Sequence, residues 1–326
     1  MLARPTETPR NSFPDPIQNR SRLSVNRPFN FRQVFRIGEV SFALNGNSAN
    51  DVRGDSELAQ FAARDSDPNI EVNVLWVDSL RPQSAESAFD SGATWRMLRC
   101  DDGLLFEFTS PVLEAAPYKT LRVDSSFRKA ELTLSRDALR HCPEISPVEY
   151  PVCELLITNY LAWRAAGVEV HGCGLVDSQT GGHLFLGHSG AGKSTTARLW
   201  QSLRDPEILS DDRLILRLHD GELWMHGTPW HGEAAFALPK KSRLNKIHIL
   251  QHGVKNKFSV VPAGRALAEI FARSFPPFHS SQAVERTLEF LKNVVDLVPC
   301  YQFEFVPDSS AVAAVLGFHS AQMNNE

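Results

Sequence analysis

The sequence predicts an α/β fold for the second half of the chain and a mostly antiparallel, β-rich first half. In the second half, strand-like and helix-like segments alternate from about residue 146 onward. In the first half, short alternating segments are separated by turn residues, as in antiparallel sheets. A third observation concerns the glycine-rich segment Gly187–Ser194, which stands between a short apolar strand and an amphipathic helix.

Length and composition set the broad class of the protein. The chain has 326 residues and 42% apolar residues, so we expect two globular domains, or one large domain with an elaborate N-terminal half. Its net charge of −4 predicts no general attraction to nucleic acid or anionic membranes. No apolar run reaches the roughly 18 residues of a membrane helix. The five cysteines are scattered and lack CxxC spacing, which favours a reducing, cytoplasmic location over a disulfide framework or a zinc site.

The elements are predicted in chain order, beginning with a disordered basic tail over residues 1–34, where proline is frequent. A β-rich N-terminal domain follows over residues 35–145. It starts with the alternating segment Arg36–Leu44 and continues with Ile70–Val77. The turn Asp101-Asp102-Gly103 predicts a hairpin. We find no chemically suggestive cluster of side chains in this domain.

The predicted C-terminal domain covers residues 146–320. It begins with a helix from Val152 to Trp163, followed by a strand that ends at His171 and a strand that leads into Gly187. The remaining predicted elements are the phosphate-loop helix, the strand 207–212, a hairpin turning at 220–221, the strand 246–250, helices at 266–275 and 282–295, the strand 301–306 and a helix from about residue 309.

The segment Gly187–Ser194, here called the phosphate loop, fits the pattern G-x-x-x-x-G-K-[ST]. Its glycines let successive backbone N–H groups point at an anion, and the following helix adds its partial positive charge. In this pattern Lys193 reaches the terminal phosphates and Ser194 ligates Mg²⁺, so we expect ATP and Mg²⁺ as cofactors. The predicted nucleotide-binding residues are Gly187, His188, Ser189, Gly190, Ala191, Gly192, Lys193, Ser194 and Thr195.

Several titratable side chains are candidates for the chemistry around a bound phosphate. Asp211 and Asp212 end the strand after the phosphate-loop helix, which predicts that they lie beside the loop at the same edge of the sheet. We assign one to the Mg²⁺ sphere, with Asp211 as the predicted ligand, and the other to the acceptor hydroxyl. The alternative is a solvated turn. His171 is a candidate for contacting phosphate or tuning an acid, or it is structural. Glu233 is a candidate metal or acceptor contact.

These elements, in this order and spacing, resemble the kinase domain of the HPr kinase/phosphorylase family. The resemblance covers about residues 150–320 and rests on His171-Gly172, the phosphate loop and the pair Asp211-Asp212. The segment Gly227–Glu233 resembles its counterpart in shorter HPr-kinase-like proteins, some of which accompany the biosynthesis of ribosomally made peptides. The fold of that family is related to the nucleotide domain of ATP-dependent phosphoenolpyruvate carboxykinase.

The resemblance implies Mg·ATP-dependent phosphorylation of a serine hydroxyl on a protein or peptide, for example a ribosomally made precursor peptide. It implies nucleotide-binding roles for Lys193 and Ser194, an acidic pair at Asp211 and Asp212 of which one acts as base, and a site histidine at His171. It also raises the prospect of homo-oligomers. Two other functions stay open from the residues alone: a small-molecule kinase or carboxykinase-like enzyme, and a non-catalytic nucleotide-binding regulator.

Overall fold

The computed structural model describes residues 29–113, 116–140, 142 and 145–323. Most of the predicted basic tail, residues 1–28, lies outside this range. Within it, the prediction is wrong for residues 31–34, which belong to a strand. The sequence obscures this strand because its outer end is polar: Arg32 forms a bidentate ion pair with Glu71 on a nearby strand.

The described N-terminal strands form one nine-stranded sheet in the order β3-β1-β2-β4-β9-β8-β7-β6-β5. The pairs β2/β4 and β4/β9 are parallel and the others are antiparallel. The strands are β1 (Phe31–Ile37), β2 (Val40–Gly46), β3 (Ala62–Ala63), β4 (Ile70–Val77), β5 (Ser87–Asp90), β6 (Trp95–Cys100), β7 (Gly103–Phe108), β8 (Lys119–Asp124) and β9 (Lys129–Ser135). A 3₁₀ turn (Ala49–Val52) and the short helix α1 (Ser56–Ala59) lie between β2 and β3.

The segment predicted as a single strand over Arg36–Leu44 is a tight hairpin. The chain turns at Gly38-Glu39, where both residues have positive φ, 56° and 59°. A two-residue turn of this kind matches the twist of the flanking strands. The pattern hid it because the usual Asn-Gly or Asp-Gly signal is absent. The hairpin predicted at 101–103 is confirmed as the turn between β6 and β7.

The second sheet has the order β15-β14-β13-β10-β11-β16-β18-β17, with β12 pairing beside β10. The pairs β11/β16 and β16/β18 are parallel. Its strands are β10 (Val168–Asp177), β11 (Gly181–Leu186), β12 (Glu207–Ser210), β13 (Arg213–His219), β14 (Glu222–Gly227), β15 (Lys241–Arg243), β16 (Lys246–His252), β17 (Lys257–Val260) and β18 (Cys300–Phe305). The remaining helices are α2 (Val152–Ala162), α3 (Lys193–Arg204), α4 (Ala263–Phe271), α5 (Ser281–Leu297) and α6 (Ser309–Met323).

Helices cover both faces of the second sheet, which gives the mixed α/β architecture. Buried residues of α4 and α5, such as Ile270 and Phe290, share one apolar cluster with the sheet. Trp200 of α3 and Val312 of α6 share another on the opposite face. Both sheets are mostly antiparallel, so the α/β class is confirmed at this coarse level. None of the helices in the described residues is both long and apolar enough to cross a membrane.

Helix α2 joins the two halves of the molecule. Although it follows the predicted boundary, its residues Val152, Leu156 and Ile157 are buried in the same apolar cluster as the N-terminal sheet. Ile215 of β13 belongs to that cluster as well. The two sheets also meet at the β1–β2 turn, where Arg217 donates to the Gly38 carbonyl at 2.9 Å.

Candidate functional site

The sheet topology explains how distant sequence segments meet at one edge. Strands β11 and β12 are both antiparallel to β10 and lie on either side of it. They therefore run in the same direction and end at the same edge, where the phosphate loop follows β11 and Asp211-Asp212 follow β12. His171 and Gly172 lie on β10 between these ends. The predicted strand end at His171 is wrong, because β10 continues to Asp177. Beyond His171 its neighbour on one side changes from β13 to β12, and β11 pairs with it on the other side.

The phosphate loop connects β11 to α3 in the strand–loop–helix order that the sequence predicts. Gly192 shows why one of its glycines is required. Its φ is +100°, and a Cβ at this position would lie 2.4 Å from the ring of Phe305. Any other residue would be strained in this conformation and would collide with the ring. The loop backbone is held from outside by His252, whose Nε2 lies 3.0 Å from the Gly190 carbonyl oxygen.

Lys193 lies across the phosphate loop rather than in solvent. Its side chain is buried, and its Nζ donates to the carbonyl oxygens of Gly187 and His188, each at 3.1 Å. Burial lowers the pKa of Lys193, and the charges of Asp212 and Asp211 oppose this shift in part. The ammonium group is thus held where an anion seated in the loop would meet it.

Ser194 and Asp211 form the closest contact between the loop and the acidic pair. The Ser194 Oγ donates to Asp211 Oδ2 at 2.9 Å. Asp211 is fully buried and also accepts three backbone N–H groups at 3.0–3.2 Å. The three donors, all in the loop that follows β14, are Gly232, Ala234 and Phe236. Each carboxylate oxygen therefore accepts two hydrogen bonds, which fills the usual capacity of about four acceptor positions.

The Ser194 hydroxyl and the Asp211 carboxylate are oxygen ligands of the kind that Mg²⁺ prefers. Hydroxyl and carboxylate oxygens are hard ligands, and Mg²⁺ in nucleotide sites keeps several waters and uses few protein ligands. The four hydrogen bonds to Asp211 use its acceptor positions and fix the place of the Ser194 oxygen, and the metal roles predicted for Asp211 and Ser194 stay predictions. Among the described residues there is no group of three or more His, Cys, Asp or Glu side chains that could hold a metal alone. A metal at this site would take its remaining ligands from water or from phosphate oxygens.

Asp212 points to a different set of partners from those of Asp211. Its Oδ1 lies 2.9 Å from the Nε2 of His171, and its Oδ2 accepts from the Arg213 Nε at 3.3 Å. Burial alone raises the pKa of Asp212, but the hydrogen bond and charge of His171, with the charges of Arg213 and Lys193, lower it overall. The group is therefore a carboxylate at neutral pH, held by fixed donors and still 28% exposed.

The other predicted site residues are less involved in this cluster. Glu233 is exposed, and the contact seen for it is its backbone oxygen, which accepts from Arg198 at 3.2 Å. Ser189 is exposed, Ala191 and Thr195 are half-buried, and none of them shows a side-chain hydrogen bond to another described residue. The metal role predicted for Glu233 and the binding roles of these loop residues stay predictions.

Arg213 was not recognised from the sequence, although it directly follows the acidic pair. Its guanidinium contacts Asp212, Glu154 and, at 3.0 Å, Glu169. It lies 4.0 Å from the ring centroid of Phe275. Burial, together with the charge of Glu154, raises the pKa of Glu169 well above its usual value, despite the opposing effect of Arg213. The acidic partners come from α2 and β10, and no sequence spacing links these elements to Arg213.

Arg273 is a second cation that sequence reasoning missed. It is buried after the end of α4, and its Nη2 lies 2.9 Å from the Nε2 of His188 in the phosphate loop. The Arg273 Nη1 donates to the Glu269 carboxylate at 2.6 Å. The backbone oxygen of Arg273 accepts from the His171 N–H at 2.7 Å. The Arg273 Nε is buried without a hydrogen-bond partner among the described residues. Its charge helps lower the pKa of Lys193, so the two cations face the same region.

A cavity of about 430 Å³ opens next to Asp212. We call it the Asp212 cavity. Both halves of the chain line it, and the relevant side chains are Asp55, Glu57, Tyr150, Asp212, Trp230 and His231. The exposed part of the Asp212 carboxylate thus faces a space large enough for a substrate group.

Comparison with known proteins adds little to this geometry. No family model matches the chain, and no curated protein matches it. The solved structure of the Hpr(Ser) kinase/phosphatase from Coxiella burnetii is similar at 12% sequence identity and a TM-score of 0.29, over 48% of this chain and 98% of that chain. At these values the likeness carries no argument about function.

Proposed function

We propose that this protein transfers the terminal phosphoryl group of Mg·ATP to a hydroxyl group, with a serine of a peptide or protein as the acceptor. The single observation that carries the proposal is the meeting of two pairs at one sheet edge. Ser194 and Asp211 are 2.9 Å apart at the phosphate loop, and Asp212 and His171 are 2.9 Å apart beside them. The first pair would hold Mg²⁺ beside phosphates in the loop, and the second would orient an acceptor hydroxyl.

Some of these residues bind the phosphates and Mg²⁺, and others align the acceptor hydroxyl with the terminal phosphorus. The amides of the phosphate loop, with Lys193 and Arg273, neutralise the charge on the phosphates. Ser194, oriented by Asp211, would hold Mg²⁺, which when bound screens the charge that develops on the bridging oxygen. Positioning and charge neutralisation are the main requirements of a loose phosphoryl-transfer transition state.

Asp212 orients the acceptor hydroxyl and takes its proton. As the hydroxyl oxygen bonds to the terminal phosphorus, the bond from that phosphorus to the bridging oxygen breaks and ADP leaves with the electron pair. Because its pKa is lowered, Asp212 is a weak base in the ground state. It therefore accepts the proton late, when the hydroxyl has become acidic through bonding to phosphorus. His171 and Arg213 keep the carboxylate pointed at the hydroxyl.

The test uses the full chain with γ-labelled ATP, Mg²⁺ and a library of serine-containing peptides. Asp212→Asn is expected to lower transfer by about 10²-fold or more while nucleotide binding, measured by a fluorescent ATP analogue, stays within about threefold. Lys193→Ala should weaken both. The matched controls are Asp220→Asn, at an exposed hairpin turn, and Lys292→Ala, on the exposed face of α5, which should change neither.

Other outcomes point to other functions. Nucleotide binding without transfer to any peptide or metabolite would overturn the proposal in favour of a binding protein. Transfer that appears only when a metabolite extract replaces the peptides would replace the peptide acceptor with a small molecule. Transfer that is unaffected by Asp212→Asn would remove the carboxylate from the mechanism.

A further inference from the structure

His252 lies beside the phosphate loop and takes no part in the proposed transfer step. It is the last residue of β16, and its partner on β18 is Phe305. Strands β11, β16 and β18 are parallel neighbours, so they end at the same edge of the sheet. The ends of β16 and β18 therefore lie on one side of the phosphate loop. The acidic pair Asp211-Asp212, which follows β12, lies on the other side.

The imidazole of His252 is held at two points and is otherwise exposed. Its Nε2 lies 3.0 Å from the Gly190 carbonyl oxygen, and because a carbonyl can only accept, this nitrogen carries a hydrogen and donates it. Phe305, which is fully buried, stacks against the imidazole with ring centroids 5.5 Å apart and 24° between the planes. Since His252 is nevertheless an exposed residue, a flat ring is presented at the surface next to the loop backbone.

The turns on either side of His252 and Phe305 are tied to each other. Asn256, in the turn between β16 and β17, accepts from the Val306 N–H at 2.9 Å and donates to the Ser310 Oγ at 2.7 Å. These bonds join that turn to the segment that leads from β18 into α6. The ring of His252 is thus placed by its surroundings, which lowers the cost of ordering it when a ligand binds.

The acceptor side of the site decides which way a bound triphosphate points. In the proposed reaction the terminal phosphoryl group faces Asp212, on the β12 side of the phosphate loop. The other end of an extended triphosphate points away from Asp212. It therefore leaves the loop on the side of β16 and β18, where His252 lies against the Gly190 backbone. Aromatic side chains, including histidine, stack on nucleobases in protein–nucleic acid complexes.

We propose that His252 stacks on the nucleobase of the phosphoryl donor, and that the donor is therefore a nucleoside triphosphate rather than an inorganic polyphosphate. One face of the imidazole packs on Phe305 and the other receives the base, while the hydrogen bond to Gly190 keeps the ring in place. Every base has a π-face, so this contact serves adenine and guanine alike. The inference rests on the proposed function for the direction of the triphosphate, but the stacking itself requires no phosphoryl transfer.

A simpler role for His252 is to hold the phosphate loop through Gly190. Loss of that hydrogen bond would weaken the binding of every ligand that enters the loop, with or without a base. Stacking, in contrast, contributes only when the ligand carries a base. Inorganic tripolyphosphate and ATP therefore separate the two roles, because they share the phosphate chain and only ATP has a base.

The experiment measures the affinities of the full chain for ATP and for tripolyphosphate by calorimetry in the presence of Mg²⁺. His252→Ala should lower the ratio of the ATP affinity to the tripolyphosphate affinity by about tenfold. His252→Phe loses the hydrogen bond but keeps a flat ring, so it should hold the ratio within about threefold of the wild type. His219→Ala, at another exposed histidine, is the matched control and should leave both affinities unchanged. Tripolyphosphate binding also shows that each variant has folded.

The outcomes separate the base site from the phosphotransferase. If His252→Ala weakens both ligands equally, or weakens neither, the base site is overturned, and phosphorylation of peptides by the wild type would still support the phosphotransferase. A fall of the ratio in His252→Phe as large as in His252→Ala would likewise overturn stacking. If the ratio falls as expected but no acceptor is phosphorylated, the base site stands and the phosphotransferase is refuted. Failure of the wild type to bind either ligand overturns both.

Discussion

Replacing Arg213 with methionine tests whether the buried ion cluster holds the acidic pair in place. Arg213 contacts three carboxylates at once: Glu154, Glu169 and Asp212. The side chain of Glu169 is fully buried, and its Oε2 has no partner among the described residues. Methionine replaces only the apolar stem of arginine, so the main losses are the charge, its hydrogen bonds and the contact of the guanidinium group with the Phe275 ring.

The magnitude follows from what Arg213 leaves behind. Removing one partner of a buried ion pair typically costs about 3–5 kcal/mol, because the other charge stays buried and uncompensated. Here two carboxyl groups are left, and their raised pKa values provide partial relief by protonation. Groups with a raised pKa in the folded state stabilise it below their unfolded pKa, and this stability is lost as pH rises. Arg213→Met should therefore cost more at pH 8 than at pH 5.

The assay is urea unfolding at both pH values, combined with the triple variant Arg213→Met/Glu154→Gln/Glu169→Gln. Without charges the cluster should regain most of the lost free energy of unfolding. Phosphoryl transfer should not recover with it, because Asp212 still lacks the Arg213 Nε. A loss below about 1 kcal/mol for Arg213→Met, or a triple variant as unstable as the single one, would refute the reasoning.

Three further predictions concern single positions. Glu169→Gln should flatten the pH dependence of the free energy of unfolding. Because burial raises the pKa of Glu169, the wild type loses stability relative to the variant as the pH rises above about 4.5. Urea unfolding from pH 5 to 9 measures this, and parallel curves for the two proteins would contradict it. Gly192→Ala should lower the free energy of unfolding by about 1–3 kcal/mol in thermal unfolding and abolish nucleotide binding, because the added Cβ collides with Phe305. Gly264→Ala, with open space around its Cα, should do neither. Similar behaviour of the two variants would show that the conformation of Gly192 is not strained by a side chain. Ser194→Ala should raise the Mg²⁺ concentration for half-maximal transfer by about tenfold, and Ser194→Thr should restore it; an unchanged Mg²⁺ requirement would exclude Ser194 as a ligand.

Local patterns predicted much of the fold. The strand, loop and helix around Gly192, and the hairpins at residues 101–103 and 220–221, are confirmed because each is set by neighbouring residues. The sequence also predicted that Asp211 lies beside the phosphate loop, because the strands before these two segments were expected to end at the same edge of the sheet. The β1–β2 turn was missed because Glu39 adopts a positive φ that its residue type does not signal.

The surroundings of the site were not predictable in the same way. Arg213 gathers carboxylates from α2 and β10, and Arg273 reaches His188 across 85 positions of sequence. Such contacts depend on how the elements pack, and a single sequence holds no periodic signal for them. The Asp212 cavity arises where the halves of the chain meet. A division of the chain near residue 145 hides it, because each half supplies only part of its walls.

The packing of α2 makes the N-terminal sheet part of the site. One face of this helix is buried in the core of that sheet, yet Glu154 contacts Arg213, and the Cys153 Sγ lies 3.3 Å from the Trp230 Nε1. Removing the sheet would expose the apolar face of α2, which could then move away from Arg213. Since Arg213 positions Asp212, the geometry at the acceptor hydroxyl depends on a core whose strands lie outside the phosphate-loop half of the chain. For this reason, loss of activity in a fragment without residues 29–140 would not show that the phosphate loop is inactive.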